Sequence, residues 1–440
     1  MLRRVLWAAC ILTQTAVAQI GVPAVRLPAR PPLPLPQGVN AALPSELDAL
    51  NPRSLEELRA LRLRALLRAN GALLERDPSG ALIMRNELLA FSPPQALLAA
   101  ARAAGFSVAR ERPLDALQAR IVVLRAPAGE STAHALSRLQ SLDPAGQYDF
   151  NHIYTDSGTT LAAVRMLAPD DAPRTHDSQG MRPRLGLIDG GVAVTHSVFH
   201  DVPVHQHGCA ERAVPSAHGT AVASLMVGSS ERFHGAASGA ELFAADVYCG
   251  LATGGAVDAV ADAFAWLAQE QVPVINVSLV GPPNRMLESV VRAVIARGQI
   301  VVAAVGNDGP AAPPLYPASY AEVVGVTAVD RRDRVLPEAA RGRQVAFAAP
   351  GADMAAAADG EAFVIVRGTS FAAPIVAGLL AAQPREFNKA AADNVIAELA
   401  RQALDLGSPG PDPVYGKGLV GGSVRPSAAL AGAHSAGGRN

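Results

Sequence analysis

The sequence predicts an α/β fold in which a doubly wound parallel sheet, with helices on both faces, follows a small α+β domain. From residue 185 onward, short apolar strands alternate with helices, an order typical of a parallel sheet that is covered on both faces. Between residues 80 and 155, shorter elements follow the order β-α-β-β-α-β, the split βαβ arrangement. The 440 residues also exceed the length of a typical single domain.

The N-terminus has the form of a secretory signal peptide. Arg3 and Arg4 precede an apolar core, and Ala-Val-Ala at residues 16–18 matches a cleavage signal, which predicts removal of residues 1–18. The alternative is a membrane anchor, but the apolar run is too short to span a bilayer. We therefore expect a secreted or periplasmic protein that does not associate with a membrane once this segment is removed.

The rest of the chain divides by composition and periodicity. We expect a proline-rich linker and helical segment at 19–79, the α+β domain at 80–155, an exposed linker at 156–181, the parallel-sheet domain at 182–425 and a flexible tail at 426–440. In the small domain the predicted strands are 81–92, 106–110, 120–125 and 148–154, and the helices 94–104 and 131–142. In the large domain the predicted strands are 185–188, 242–248, 273–279, 299–305 and 322–328, and the helices 218–228, 257–270, 286–297, 370–382 and 389–404.

Composition excludes one class of partner and suggests a redox environment. Half of the residues are apolar and the formal net charge is −1, so there is no basic excess that would bind nucleic acid.

Once Cys10 leaves with the signal peptide, Cys209 and Cys249 remain, and an oxidising compartment favours a disulfide between them. Two buried free thiols are the alternative.

The segment GTSFAAP at residues 368–374 places Ser370 where a strand gives way to a helix. A hydroxyl there lies at the positive end of a helix dipole, beside backbone N–H groups that the helix leaves unpaired. It can attack a carbonyl carbon, and its own N–H can stabilise the resulting oxyanion. Because serine before a helix is more often an N-cap, this motif needs support from others.

Three further motifs supply that support. A short apolar strand ends in Asp189, the segment SAHGT places His218 at the start of a helix, and another buried strand ends in Asn307. A serine nucleophile needs a base, the base needs a carboxylate that fixes its tautomer, and a side-chain amide can donate to the oxyanion. Each residue alone also fits a cap or a turn, but together, in the order Asp–His–Ser, they favour a hydrolase.

These four motifs resemble the catalytic domain of the subtilisin-like serine proteases, or subtilases, over about residues 182–425. The resemblance implies a subtilisin-like fold, a triad of Asp189, His218 and Ser370, and Asn307 as oxyanion donor. It also implies a serine endopeptidase that acts on polypeptide substrates through an acyl-enzyme and requires no cofactor. Family members often bind calcium, but no carboxylate-dense loop in this sequence locates such a site.

The resemblance extends to the segments that bind substrate. One strand would pair with the extended substrate, and a second segment would face it across the pocket for the residue before the scissile bond. The matching residues are Ser278, Leu279, Val280 and Gly281 in the strand, and Ala304, Val305 and Gly306 opposite. Small apolar walls without charge predict an apolar residue in that pocket. Tyr316–Pro317 matches a peptide bond that is commonly cis in the family.

The α+β domain resembles the family's ferredoxin-like propeptide, because it lies directly ahead of the protease domain. Such a propeptide assists folding and blocks the active site with the segment after its last strand. The chain would then be an autoprocessed precursor, inhibited by its own propeptide and cut somewhere after Tyr154. The alternative is an independent α+β domain with an unrelated role.

Three residues depart from the family pattern. Gly190 replaces a usual Thr or Ser, Ser224 a common Gly, and Val280 a usual Gly. None of these changes removes a catalytic group, so they bear on specificity and rate rather than on the type of reaction.

Two alternative functions compete with proteolysis. The sequence holds a histidine cluster in a predicted loop, which could bind zinc but lacks a Cys–His pattern. Its members are His196, His200, His205 and His207. A catalytically weak or inactive binding protein with the subtilisin fold is the other alternative, although all four polar groups are present. Acid peptidases with a Ser–Glu–Asp set share the Gly-Thr-Ser motif, whereas His218 favours activity at neutral to alkaline pH.

Overall fold

The computed structural model of the protein describes residues 52–156, 159–164, 182–211 and 214–431. The predicted signal peptide and the proline-rich stretch lie outside these residues, as does most of the predicted linker. Within the described ranges, no helix combines the length and the apolar character that crossing a membrane requires.

The N-terminal elements form an antiparallel α+β domain. In chain order they are α1 (Pro52–Ala69), β1 (Leu74–Arg76), β2 (Leu82–Phe91), α2 (Gln95–Ala103), β3 (Ser107–Leu114), β4 (Ala119–Arg125), α3 (Thr132–Leu142) and β5 (Gln147–Asp156). The next strand, β6 (Thr159–Val164), lies outside this domain, in a sheet with two strands of the C-terminal part, Ala352–Ala357 and Phe363–Arg367. Strands β5, β2, β4 and β3 lie side by side in that order, and every neighbouring pair is antiparallel. From β2 to β5 the elements follow the predicted order β-α-β-β-α-β, and α1 precedes them.

The C-terminal elements alternate strand and helix around a parallel sheet. They are β7 (Arg184–Asp189), β8 (Val204–His207), α4 (Ala217–Val227), β9 (Glu241–Asp246), β10 (Gly255–Ala256), α5 (Val257–Gln269), β11 (Val274–Val277), β12 (Leu279–Val280), α6 (Arg285–Ala296), β13 (Ile300–Ala304), β14 (Val324–Val329), β15 (Val345–Pro350), β16 (Ala352–Ala357), β17 (Phe363–Arg367), α7 (Thr369–Ala381) and α8 (Lys389–Gln402).

Seven of these strands, as far as the structure describes the chain, form one parallel sheet in the order β15-β14-β13-β11-β7-β9-β8. Apart from the edge strand β8, the strands are almost wholly apolar because both faces of the sheet are covered. Helices α4, α7 and α8 pack on one face and α5 and α6 on the other, which confirms the predicted doubly wound fold. The chain changes direction across the sheet between β7 and β11, and ligands of open α/β sheets bind at such a switch point.

The α+β domain lies against α5 and α6. Helices α2 and α3 cover one face of its sheet. On the opposite face, Leu89, Ile121 and Val123 pack with residues of α5 and α6 such as Phe264 and Leu287. The two domains therefore share an apolar core.

Three boundary predictions need correction. Residues Val204–His207, predicted as part of a loop, form β8 at the edge of the sheet, where polar side chains are tolerated because the strand has one neighbour. Part of the predicted linker, Thr159–Val164, forms β6 and pairs with β17. In the predicted flexible tail, Ser427 bridges to Met354 and Leu430 is buried.

Candidate active site

Asp189 is the last residue of β7, at the switch point of the sheet. It is fully buried, and the Gly190 N–H donates to Asp189 Oδ1 over 2.7 Å. A strand that ends here delivers its final side chain to the carboxyl edge of the sheet, where neighbouring elements can reach it.

His218 is the second residue of α4, and the geometry of this helix start directs its imidazole towards Asp189. Ser216 caps the helix, since its Oγ accepts the Gly219 N–H at 2.9 Å. His218 Nδ1 lies 3.0 Å from both carboxylate oxygens of Asp189. Burial alone would lower the pKa of His218. The charge and hydrogen bond of Asp189, together with the charge of Asp156, outweigh burial and raise the pKa to about 9. His218 Nε2 is buried and has no hydrogen-bond partner among the described residues.

Ser370 lies in the first turn of α7, directly after β17. Gly368, at φ 134°, makes the sharp turn between the two elements, a conformation that glycine tolerates. Ser370 is buried, its Oγ donates to the Ser278 carbonyl oxygen at 3.2 Å, and Ser278 Oγ donates to the Ser370 carbonyl oxygen at 3.0 Å. The rings of Phe371 and His218 lie 5.4 Å apart, so the helix starts that bear the serine and the histidine meet.

Asn307 follows β13, and its side chain faces the start of α7. Asn307 Oδ1 accepts the Thr369 N–H at 3.1 Å, which fixes the orientation of the amide. Its Nδ2 is buried and unpartnered among the described residues. The Gly306 N–H donates to Thr369 Oγ1 at 3.1 Å, which ties the end of β13 to the same turn. An amide held in this way can donate to an oxyanion that forms beside Ser370.

The predicted substrate strand is already paired with the chain itself. Leu279 and Val280 of β12 pair antiparallel with Asp156 and Thr155 at the end of β5. On its other side, β5 pairs with β10, which the sequence analysis did not identify. The end of β5 therefore lies between two strands, as an extended substrate would.

The remaining predicted substrate residues lie around this strand. Gly281 bridges to Tyr316, and Ala304, Val305 and Gly306 are fully buried or nearly so at the end of β13. The aromatic ring of Tyr154, on β5, lies against Gly281, and its hydroxyl donates to the Pro282 carbonyl oxygen at 2.5 Å. The Tyr316–Pro317 bond is cis, as predicted.

Comparison with known proteins identifies the family. The model of the subtilase family matches residues 185–418. The alkaline protease of Alkalihalobacillus alcalophilus is 30% identical over 296 residues, which cover 63% of this chain and 73% of that protein. Subtilisin Savinase of Lederbergia lenta is 30% identical over 266 residues, 60% of this chain and 90% of that protein.

The chain belongs to the subtilase family. It is a serine-type endopeptidase, as the similar proteases are. Fervidolysin from Fervidobacterium pennivorans, a keratinolytic enzyme related to subtilisin, has the same fold, with a TM-score of 0.64 and 19% identity. That likeness covers 80% of this chain and 62% of fervidolysin.

The departures of this subtilase from the family pattern have structural explanations. At Gly190, a Cβ would lie 2.3 Å from Ser216 Oγ, so the residue that caps α4 leaves no room for a Ser or Thr there. Ser224 Oγ accepts the buried Ala357 N–H at 3.0 Å, which joins α4 to β16. Val280 is buried, and it pairs with Thr155 at the end of β5.

A buried ion pair that sequence reasoning missed joins the two segments behind the site. Arg367 Nε and Nη2 lie 2.7 and 3.0 Å from the carboxylate oxygens of Glu338, and the side chains are 4% and 8% exposed. Arg367 ends the strand that leads to Ser370, while the Glu338 carbonyl oxygen accepts the Gly309 N–H at 2.8 Å. The pair thus links the strand that leads to Ser370 to the loop that follows Asn307.

The described histidines give no support to the alternative that their cluster binds zinc. His196 Nε2 lies 3.0 Å from the Ala362 carbonyl oxygen, His205 Nε2 lies 2.8 Å from Glu241, and His207 Nε2 lies 3.0 Å from Asp262. Cys209, Asp246 and Cys249 are the only described residues grouped closely enough for a metal ion, and the two cysteines form a disulfide.

Proposed function

We propose that this subtilase is a secreted endopeptidase that cleaves peptide bonds through an acyl-enzyme on Ser370. The geometry around His218 is the main support: Nδ1 is held by Asp189, and Nε2, buried and unpartnered among the described residues, is left to take a proton. The apparent signal peptide and the disulfide support export.

The proposed reaction follows from these positions. The Ser370 hydroxyl turns from the Ser278 carbonyl to His218 Nε2, gives up its proton and attacks the substrate carbonyl carbon. Asn307 Nδ2 and the Ser370 N–H stabilise the oxyanion. The imidazolium, stabilised by Asp189, then protonates the leaving amine, and the C–N bond breaks. A water molecule, deprotonated by the same imidazole, hydrolyses the ester and frees Ser370.

The first substrate of the enzyme is its own chain. Asp156 pairs with Leu279, the residue after Ser278, whose carbonyl accepts the Ser370 hydroxyl. On the other side, Thr159 pairs with Arg367 on the strand that leads to Ser370. The two pairings bracket the nucleophile, so we place the maturation cut between Asp156 and Thr159.

The N-terminal domain acts as the inhibitor of the enzyme that it precedes. Arg110 bonds to Glu87 at 2.7 and 2.8 Å and to Asp258, in the first turn of α5, at 2.7 and 3.0 Å. The buried Asn151 Nδ2 lies 2.9 Å from both carboxylates. A charge network with matched partners across the interface favours one docking geometry and slows dissociation.

Intact mass of the precursor without its signal peptide tests the proposal. The wild-type chain should shed an N-terminal fragment that ends between residues 156 and 159 on incubation at neutral to alkaline pH. The Ser370→Ala chain should stay whole, while Ser408→Ala, a change at an exposed serine, should process normally. A wild-type chain that stays whole would refute the proposed maturation, and equal cutting of the wild-type and Ser370→Ala chains would refute the assignment of Ser370.

A further inference from the structure

Helix α1 lies outside the split βαβ unit, yet it contacts the catalytic domain. Leu63, Leu66 and Leu67 on its C-terminal half pack with an apolar cluster that includes Leu82 of β2 and Ile153 of β5. This half of the helix belongs to the N-terminal domain and rests on the strand that enters the cleft.

The N-terminal half of α1 reaches the loop that bears the proposed oxyanion donor. Arg59 Nε forms an ion pair with Asp308 Oδ2 at 3.1 Å, and Asp308 directly follows Asn307. Leu55 is 6% exposed. A Cβ on Gly309 would lie 3.4 Å from Leu55 Cδ1. Because Gly309 has no side chain, Leu55 packs closely against its backbone.

The electrostatics of this contact are complementary. The side chain of Asp308 is 18% exposed and that of Arg59 is 32% exposed, so water screens the pair less than an open surface pair. Burial raises the pKa of Asp308, and the charges of Arg59 and Arg62 oppose that rise. An acidic group beside an apolar notch is a surface that suits a helix with a leucine and an arginine one turn apart.

We propose that Asp308 and Gly309 form a docking site outside the substrate cleft, that its occupant is α1, and that this contact retains the N-terminal domain after the chain is cut. This proposal rests on the proposed maturation. The contact of α1 with the loop after Asn307 would add to the other contacts that hold the cleaved domain: β5 between β10 and β12, the apolar core on α5 and α6, and the Arg110–Asp258 network. Release then requires the contact at Asp308 to open together with these.

Charge reversal in the full-length precursor tests the docking site. Arg59→Glu and Asp308→Arg should each shorten the interval between cleavage, followed by intact mass, and the appearance of activity on a small peptide. We expect release about tenfold faster, which corresponds to about 1.4 kcal/mol. The double reversal should restore the wild-type interval. Arg68→Glu makes the same charge change at an exposed position of α1 and should have little effect.

The outcomes separate this proposal from the proposed function. Single variants with the wild-type interval, or a double variant as fast as the singles, would overturn the docking site. If no chain is cut, the proposed maturation fails, and amide hydrogen exchange in the Ser370→Ala precursor decides about docking. Arg59→Glu should then reduce protection of residues 52–69 and 307–313 together, and unchanged protection in both segments would refute it.

Discussion

Replacing Glu338 by glutamine should destabilise the protein and slow catalysis at the same time. The change keeps the shape of the side chain but removes the negative charge that faces Arg367 at 2.7 and 3.0 Å. Both side chains are almost fully buried, so the remaining guanidinium charge is poorly solvated. Breaking a buried pair by removing one partner costs about 3–5 kcal/mol, and we expect the lower end because glutamine can still accept one hydrogen bond.

The catalytic effect follows from what the pair joins. Arg367 lies three positions before Ser370, and Glu338 holds Gly309 through its backbone. Loosening this link lets the serine and the Asn307 amide shift relative to each other, and a misplacement of about 1 Å can cost about a hundredfold in rate. We expect kcat to fall by about tenfold or more while KM for a small peptide changes little, since β12 and β10 are untouched.

Two assays check this prediction. Urea unfolding of the Ser370→Ala precursor, with and without Glu338→Gln, measures the free energy of unfolding without self-digestion. Steady-state kinetics of the mature enzyme measure kcat and KM. A loss of stability with unchanged kcat would leave the pair a purely structural role, and a free energy of unfolding within about 1 kcal/mol of the parent would refute the argument from burial.

Three further predictions concern the cleft, a helix contact and the disulfide. Asp156→Asn removes an anion that raises the pKa of His218, so the neutral imidazole persists to lower pH. The midpoint of the pH profile of the autocleavage rate should therefore move to lower pH, and a shift to higher pH would contradict this reasoning. Ser224→Ala leaves the buried Ala357 N–H unpaired and should lower the free energy of unfolding by about 1–3 kcal/mol in urea titrations, whereas an unchanged midpoint would contradict it. Cys209→Ser opens a 40-residue loop and should cost about 4 kcal/mol under oxidising conditions but almost nothing in reductant, where the parent chain has lost the same bond.

Local chemistry explains why the central site residues could be predicted from sequence. Asp189 ends a buried apolar strand, Asn307 follows another by three residues, and His218 and Ser370 each lie in the first turn of an apolar helix. A polar residue at such a boundary is visible in a single sequence, and the parallel fold brings these boundaries to one edge of a sheet.

Contacts between distant segments left no comparable signal. Arg367 and Glu338 are 29 residues apart, and neither belongs to a recognisable motif. The two-residue strand β10 is too short for any periodicity, and β8 shows polar residues because it is an edge strand. The contact of α1 with Asp308 depends on how the surfaces of two domains meet, which helical periodicity alone does not encode.

Strand β5 belongs to both domains at once, and this has a consequence for timing. Its first part pairs with β2, and its last residues pair with β10 and β12. If the proposed maturation holds, a cut after Asp156 breaks none of these pairings and changes only whether the N-terminal domain is tethered. Before the cut, the tethered domain would be present at the effective concentration set by the chain, which for short linkers is of millimolar order. After the cut, its occupancy of the cleft would fall as the protein is diluted, so dilution would itself act as the activating signal.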